Sequence, residues 1–206
     1  MSSSSHNGHI KLVMGPMFSG KTTELMRLAR RYKLADPGCR VLVVSHKADD
    51  RYKDADGLEI TDDLSASFES VGVRSTVTSH EGRSMPSSAV GEVDEIMEAA
   101  KEYDVIAIDE GQFYPDLAEK CDQLAQDGKI VIVSGLDGDF KREPFHQMSL
   151  LISKADSIVK LLAICHYCRG EAPFTHRTVA SNSEVLIGGK DSYIPLCRNC
   201  FPKHSD

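Results

Sequence analysis

Gly15-Pro16-Met17-Phe18-Ser19-Gly20-Lys21-Thr22 follows the spacing G-x-x-x-x-G-K-[ST] and lies between an apolar segment, Ile10 to Met14, and an amphipathic one. A strand before such a loop and a helix after it aim successive backbone N–H groups at an anion. Gly15 and Gly20 let the backbone turn tightly and approach phosphate oxygens with no side chain in between. Lys21 then reaches the β- and γ-phosphates of a nucleotide, and the Thr22 hydroxyl is offered to Mg²⁺. Beyond the loop, Leu25, Met26, Leu28, Ala29 and Tyr32 recur at helical spacing until Pro37-Gly38 ends the segment.

The next apolar runs extend the same architecture. Arg40 to Ser45 contains Val41-Leu42-Val43-Val44, too continuous for a half-exposed strand and typical of a parallel strand covered on both faces. His46-Lys47-Ala48-Asp49-Asp50-Arg51-Tyr52 follows at its carboxyl end, where ligands of open α/β sheets bind. An arginine there can face a transferred phosphoryl group, and a carboxylate can hold a metal-bound water. The polar stretch from Asp54 to Ser88, with Val71, Val73 and Val77 at a loose period of two, predicts one or two strands with a flexible loop. Glu92 to Lys101 reads as a helix, Val105 to Glu110 as a buried strand, Pro115 to Asp127 as a helix and Lys129 to Ser134 as another buried strand. Met148 to Ala155 reads as a short helix, and Ser157 to Ile164 as a last strand. This alternation predicts an α/β fold, a P-loop nucleotide-binding domain with a mostly parallel sheet.

Two acids close the strand that starts at Val105. Asp109, ending an apolar strand downstream of a phosphate loop, is placed to hold Mg²⁺ or its water. Neighbouring carboxylates point in different directions, so Glu110 can face a second substrate and act as general base toward a hydroxyl. In the polar loop after the Lys129 strand, Phe140 and Phe145 either stack on a planar base or anchor the loop to the core.

A second signature sits in the tail. Cys165-x-x-Cys168 and Cys197-x-x-Cys200 offer four thiolates for tetrahedral Zn²⁺, with 28 residues between the pairs. Four cysteines leave no open coordination position, so the metal is expected to be structural, tying the base of a long loop that carries Thr175, Arg177, Gly188-Gly189 and Tyr193. Cys39 and Cys121 have no partner pattern and are expected to be packing residues. The reading is a disordered leader over 1–8, a P-loop domain over 9–162 and a small C-terminal zinc-binding domain over 163–206.

A chain of 206 residues with 41% hydrophobic content can bury one core plus an appendage. Its formal charge of −7 argues against a broad nucleic-acid surface. It also disfavours the rival reading, a zinc-bearing P-loop ATPase whose knuckles grip a nucleic-acid strand. No signal peptide or run of eighteen apolar residues is present, so a soluble, cytoplasmic protein without a membrane partner is expected.

Together these stretches resemble the type II thymidine kinases. The likeness is carried by the loop at 15–22, Asp-Asp-Arg-Tyr at 49–52, Asp-Glu-Gly-Gln-Phe at 109–113, Leu-Asp-Gly-Asp-Phe with Pro-Phe at 136–145, and both cysteine pairs. The resemblance implies transfer of the ATP γ-phosphate to the 5′-hydroxyl of thymidine, with deoxyuridine also accepted, in nucleotide salvage for DNA synthesis. It implies Glu110 as general base, Lys21 and Arg51 on the phosphates, and Thr22 and Asp109 on Mg²⁺. The nucleotide falls to residues 15–22 with Asp49, Asp50, Arg51, Asp109, Glu110, Gly111 and Gln112. Zinc holds a lasso-like loop over the thymine. The base is then enclosed by Glu184, Val185, Leu186, Ile187 and Gly188, with Met17, Phe113, Leu136, Phe140, Phe145, Thr175 and Tyr193. On this basis at least one of Phe140 and Phe145 touches substrate. The resemblance further implies a homotetramer and feedback inhibition by thymidine triphosphate. The chain departs from its best-known members at Asp50, usually uncharged, and at Glu184, often apolar.

Overall fold

The computed structural model describes residues 8–48, 74–78, 84–179 and 192–204. The apolar run before the phosphate loop forms β1 (His9–Gly15). With it stand β2 (Val41–His46), β3 (Arg74–Thr78), β4 (Ser84–Val90), β5 (Val105–Ile108), β6 (Ile130–Leu136) and β7 (Ser157–Lys160). They make one sheet in the spatial order β3-β4-β2-β5-β6-β1-β7. All neighbours run parallel except β3 with β4.

The period of two along these strands sorts their side chains into two layers. Ile10, Leu12, Leu42, Val44, Ile106, Ile108, Val131 and Val133 belong to one core. Val13, Val41, Val43, Val105, Ala107, Ile130 and Ile132 belong to the other. Helix α1 (Lys21–Ala35) covers the second layer with Leu25, Met26, Leu28 and Ala29, the stripe expected from its spacing. On the opposite face lie α2 (Met97–Ala100), α3 (Leu117–Gln126) and α4 (His146–Ile152). Each fully buried Val, Leu or Ile contributes about 1.5–3 kcal/mol, which is why the central strands read as unbroken apolar runs.

Two segments differ from their expected form. The helix expected over 92–101 begins as a 3-10 turn, Val93–Ile96, before α2. Its first amides are taken by Asp116, whose carboxylate accepts from Val93 N–H at 2.9 Å and Asp94 N–H at 2.8 Å, and by a Glu92/Glu95 capping box. The strand expected over 157–164 is two strands. β7 stops at Lys160, and β8 (Ala163–Ile164) leaves the large sheet to pair antiparallel with β9 (Glu171–Ala172). The chain turns there because Cys165 opens the first cysteine pair, and its N–H already donates to Gly170 O. A second hairpin, β10 (Phe174–Arg177) with β11 (Tyr193–Leu196), and α5 (Phe201–His204) complete this part. Its own small core holds Ala163, Ala172, Leu196 and Phe201.

Residues 1–7, most of the 54–88 stretch including Val71 and Val73, and Asp49, Asp50 and Arg51 lie outside the described residues. So do Glu184, Val185, Leu186, Ile187 and Gly188. Among the described residues no helix is long and apolar enough to cross a membrane.

Candidate active site

Because β1, β2, β5 and β6 run parallel, their carboxyl ends open on one edge of the sheet, and the chemistry-bearing residues gather there. The loop between β1 and α1 is built around two glycines. Gly15 has φ 154°, and a Cβ on it would lie 2.4 Å from Leu161 O. Gly20, the residue before α1, has φ 84°. Phe18 is also left-handed, at φ 65°. Ser19 Oγ and Lys21 Nζ each donate to Pro16 O at 2.8 Å, so the lysine folds back along its own loop. Lys21 is buried, and a buried ammonium requires such acceptors.

Behind the loop, Thr22 Oγ1 donates to Asp109 Oδ2 at 3.0 Å. Ser134 Oγ donates to the other carboxylate oxygen, Oδ1. Asp109 is buried, and its own N–H donates to Val44 O at 2.9 Å, continuing the β5–β2 ladder. Hydroxyl and carboxylate oxygens are the hard donors that Mg²⁺ prefers, so Thr22 and Asp109 suit that ion.

Glu110, one residue on, leaves the strand with φ 53° and ψ 45°. This left-handed step turns its half-buried side chain out of the β5 alternation. Gln112 holds it there: Nε2 donates to Glu110 Oε2 at 2.6 Å, while Oε1 accepts from Leu136 N–H at 2.9 Å. The side-chain amide of Gln112 thus bridges Glu110 and β6. Gly111 is buried in the 3-10 turn Gly111–Phe113. Phe113 lies beside His46, ring centroids 5.4 Å apart.

The C-terminal hairpin reaches the same edge. Met17 N–H donates to Thr175 Oγ1 at 3.0 Å, tying the phosphate loop to β10. Arg177, two residues along, lays its guanidinium 3.7 Å from the Phe140 ring centroid and approaches Tyr193 OH. Phe140, Leu136 and Phe145 are half-buried, and Phe145 packs on the core beneath α4, so anchoring accounts for part of its role. Close by, Asp137, Gly138, Arg142, Lys160, Phe174 and Thr175 help line a cavity of about 200 Å³. The structure therefore groups Met17, Leu136, Phe140, Thr175 and Tyr193 around the junction of loop and hairpin. Ser134, noted in the sequence only as the end of a strand, reaches Asp109; a polar residue closing the run Ile130 to Val133 was the available signal.

Cys165, Cys168, Cys197 and Cys200 bring their sulfurs within 4.8 Å of one another. A tetrahedral zinc with sulfur at about 2.3 Å spaces its ligands about 3.8 Å apart, so the quartet fits that ion. Backbone amides prepare it: Cys197 N–H points to Cys165 Sγ and Cys200 N–H to Cys197 Sγ, both at 3.4 Å. Burial opposes ionisation of Cys165, yet amides of Cys168, Cys197 and Tyr167 hold its thiol down to about 6. Cys200 is pushed up to about 12, first by its hydrogen bond to Cys197 and then by burial. The Cys200 amide likewise lowers the Cys197 thiol, so protein groups favour thiolate at two positions and thiol at a third, and four thiolates brought together call for a cation. Cys39 and Cys121 are both buried, in the two layers of the main core.

A glycine-bounded loop closing on its own lysine, with the following hydroxyl bonded to a strand-end carboxylate, defines a P-loop nucleotide-binding protein. Within that class the comparison of sequences is specific: residues 8–201 match the model of the thymidine kinase family. Thymidine kinase 1 of Dictyostelium discoideum is 40% identical over 194 residues, 94% of this chain and 78% of that protein. The thymidine kinase of Yaba monkey tumor virus is 41% identical over 199 residues, 97% of each chain. That of vaccinia virus (strain Ankara) is 37% identical over 196 residues, 95% of this chain and 98% of the viral protein. The chain belongs to the thymidine kinase family.

Proposed function

We propose that this protein transfers the γ-phosphoryl group of ATP to the 5′-hydroxyl of thymidine, giving thymidine monophosphate and ADP, and that it accepts deoxyuridine as well. The observation that carries the reading is the strand-end pair Asp109-Glu110, one acid bonded to the phosphate-loop threonine and the other turned away from it and clamped by Gln112. A new bond forms between the 5′-oxygen and the γ-phosphorus as the bond from that phosphorus to the bridging oxygen of ADP breaks. Glu110 takes the proton from the attacking hydroxyl. Lys21 exchanges the Pro16 carbonyl for phosphate oxygens, and with Arg51 stabilises the charge on the moving phosphoryl group. Thr22 and Asp109 would hold Mg²⁺, which when bound neutralises charge on the phosphates. The loop amides of residues 15–22 cradle the phosphates, with Asp49, Asp50, Gly111 and Gln112 around them.

The base lies among Met17, Phe113, Leu136, Phe140, Phe145, Thr175 and Tyr193, under residues 184–188. The four cysteines hold structural zinc at the foot of that covering loop, in a C-terminal unit over 163–206 beside the kinase unit over 9–162. The resemblance supports a homotetramer inhibited by thymidine triphosphate and working in the cytoplasm. Exposed Ile158 and Val159 on the edge strand β7 are compatible with association. The test is transfer of label: with γ-labelled ATP, Mg²⁺ and thymidine, label should appear in thymidine monophosphate. Label found only in inorganic phosphate would overturn the assignment.

A further inference from the structure

We propose that Ser134 is a positioning residue for phosphoryl transfer, fixing the Asp109 carboxylate in the orientation that the nucleotide-bound divalent cation requires. This rests on reading the site as a magnesium-dependent kinase. β6 lies between β5 and β1 in the sheet, so its carboxyl end separates the acid-bearing strand from the phosphate loop. The register pairs Ile108 with Val133 and Val13 with Ser134. Ser134 is therefore level with Asp109 on one side and, on the other, with Val13, two residues before the phosphate loop begins at Gly15.

A carboxylate at a strand end has two rotatable bonds. Held by the Thr22 hydroxyl alone, it can pivot about that contact. Here each oxygen has its own hydroxyl donor, Thr22 on Oδ2 from α1 and Ser134 on Oδ1 from β6, and the plane of the carboxylate is set by two different elements. Both donors are neutral hydroxyls, so neither adds a positive charge beside Asp109, as a lysine or arginine in the place of Ser134 would. Ser134 is fully buried and acts through Asp109 rather than on the cation itself. Residues that orient metal-binding groups in this way typically change metal affinity or activity by about 10–100-fold when removed.

The variant Ser134→Ala deletes the donor with almost no change in volume, and Ser134→Thr keeps it. The measurement is calorimetric binding of the non-hydrolysable β,γ-imido analogue of ATP to the whole protein, with and without Mg²⁺. Ser134→Ala should lower the gain in affinity that Mg²⁺ confers by about tenfold, leave metal-free binding of the analogue unchanged, and raise the Mg²⁺ needed for half-maximal turnover. Ser134→Thr should restore the wild-type gain. Equal weakening with and without Mg²⁺, or no change in either, would overturn the proposal by reducing Ser134 to a packing role. Failure of the wild-type protein to phosphorylate thymidine would instead count against the assigned reaction, since the magnesium-dependent binding difference is read without any acceptor.

Discussion

Glu110 occupies a conformation that costs a non-glycine residue about 1–3 kcal/mol, and its φ of 53° is held by neighbours rather than by preference. The 3-10 turn that follows, and the Gln112 amide bridging Glu110 to Leu136 N–H, fix the side chain at the end of β5. Glu110→Gln keeps size and hydrogen-bonding capacity but removes the proton acceptor. Turnover should fall about 10²–10⁴-fold while ATP and thymidine binding, followed by calorimetry, stay near the wild-type level; near-normal turnover would remove Glu110 from the mechanism. The acid itself was legible in the sequence, as the second carboxylate after an apolar strand. The left-handed step and the clamp were not, because they depend on β6, more than twenty residues further along. Ser134 escaped for the same reason: its partner is 25 positions away, and only sheet order brings them together.

Strand β6 and hairpin β10–β11 carry the interactions that join the parts of the site. β6 holds one acid through Ser134 and the other through Gln112, while β10 reaches the phosphate loop through Thr175 and the Phe140 ring through Arg177. Apolar runs and helical stripes made the sheet and most helices legible, since burial on both faces leaves an unbroken pattern. The break after Lys160 was not, because Ile158 to Ile164 is apolar enough to pass for one strand while Cys165 imposes the turn. The hairpin's position follows from the cysteine quartet that closes its base. Cys165→Ser should therefore strip zinc from the purified protein, as read by elemental analysis. It should also lower the thermal midpoint and raise the apparent thymidine requirement several-fold, with less effect on ATP. An unchanged enzyme containing no zinc would contradict the metal assignment.

The molecule as a whole is built on a mostly parallel sheet whose carboxyl edge collects a phosphate loop, two acids and a hairpin closed by four cysteines from distant parts of the chain. Its family could be read from ordered short motifs, because those at 15–22, 109–113 and 136–145 sit at turns where the backbone has few alternatives. The choice of base is harder to read, since Phe140 and Phe145 make packing contacts whether or not they also meet a base, Phe140 with Arg177 and Phe145 with the core. The most direct test of thymidine phosphorylation is ADP release by the purified protein with Mg-ATP, comparing thymidine, deoxyuridine, deoxycytidine and deoxyadenosine with no acceptor. Strong stimulation by thymidine, weaker by deoxyuridine and none by the other two is the predicted result. ADP release at one rate with or without any nucleoside would contradict it, leaving a P-loop ATPase in place of a thymidine kinase.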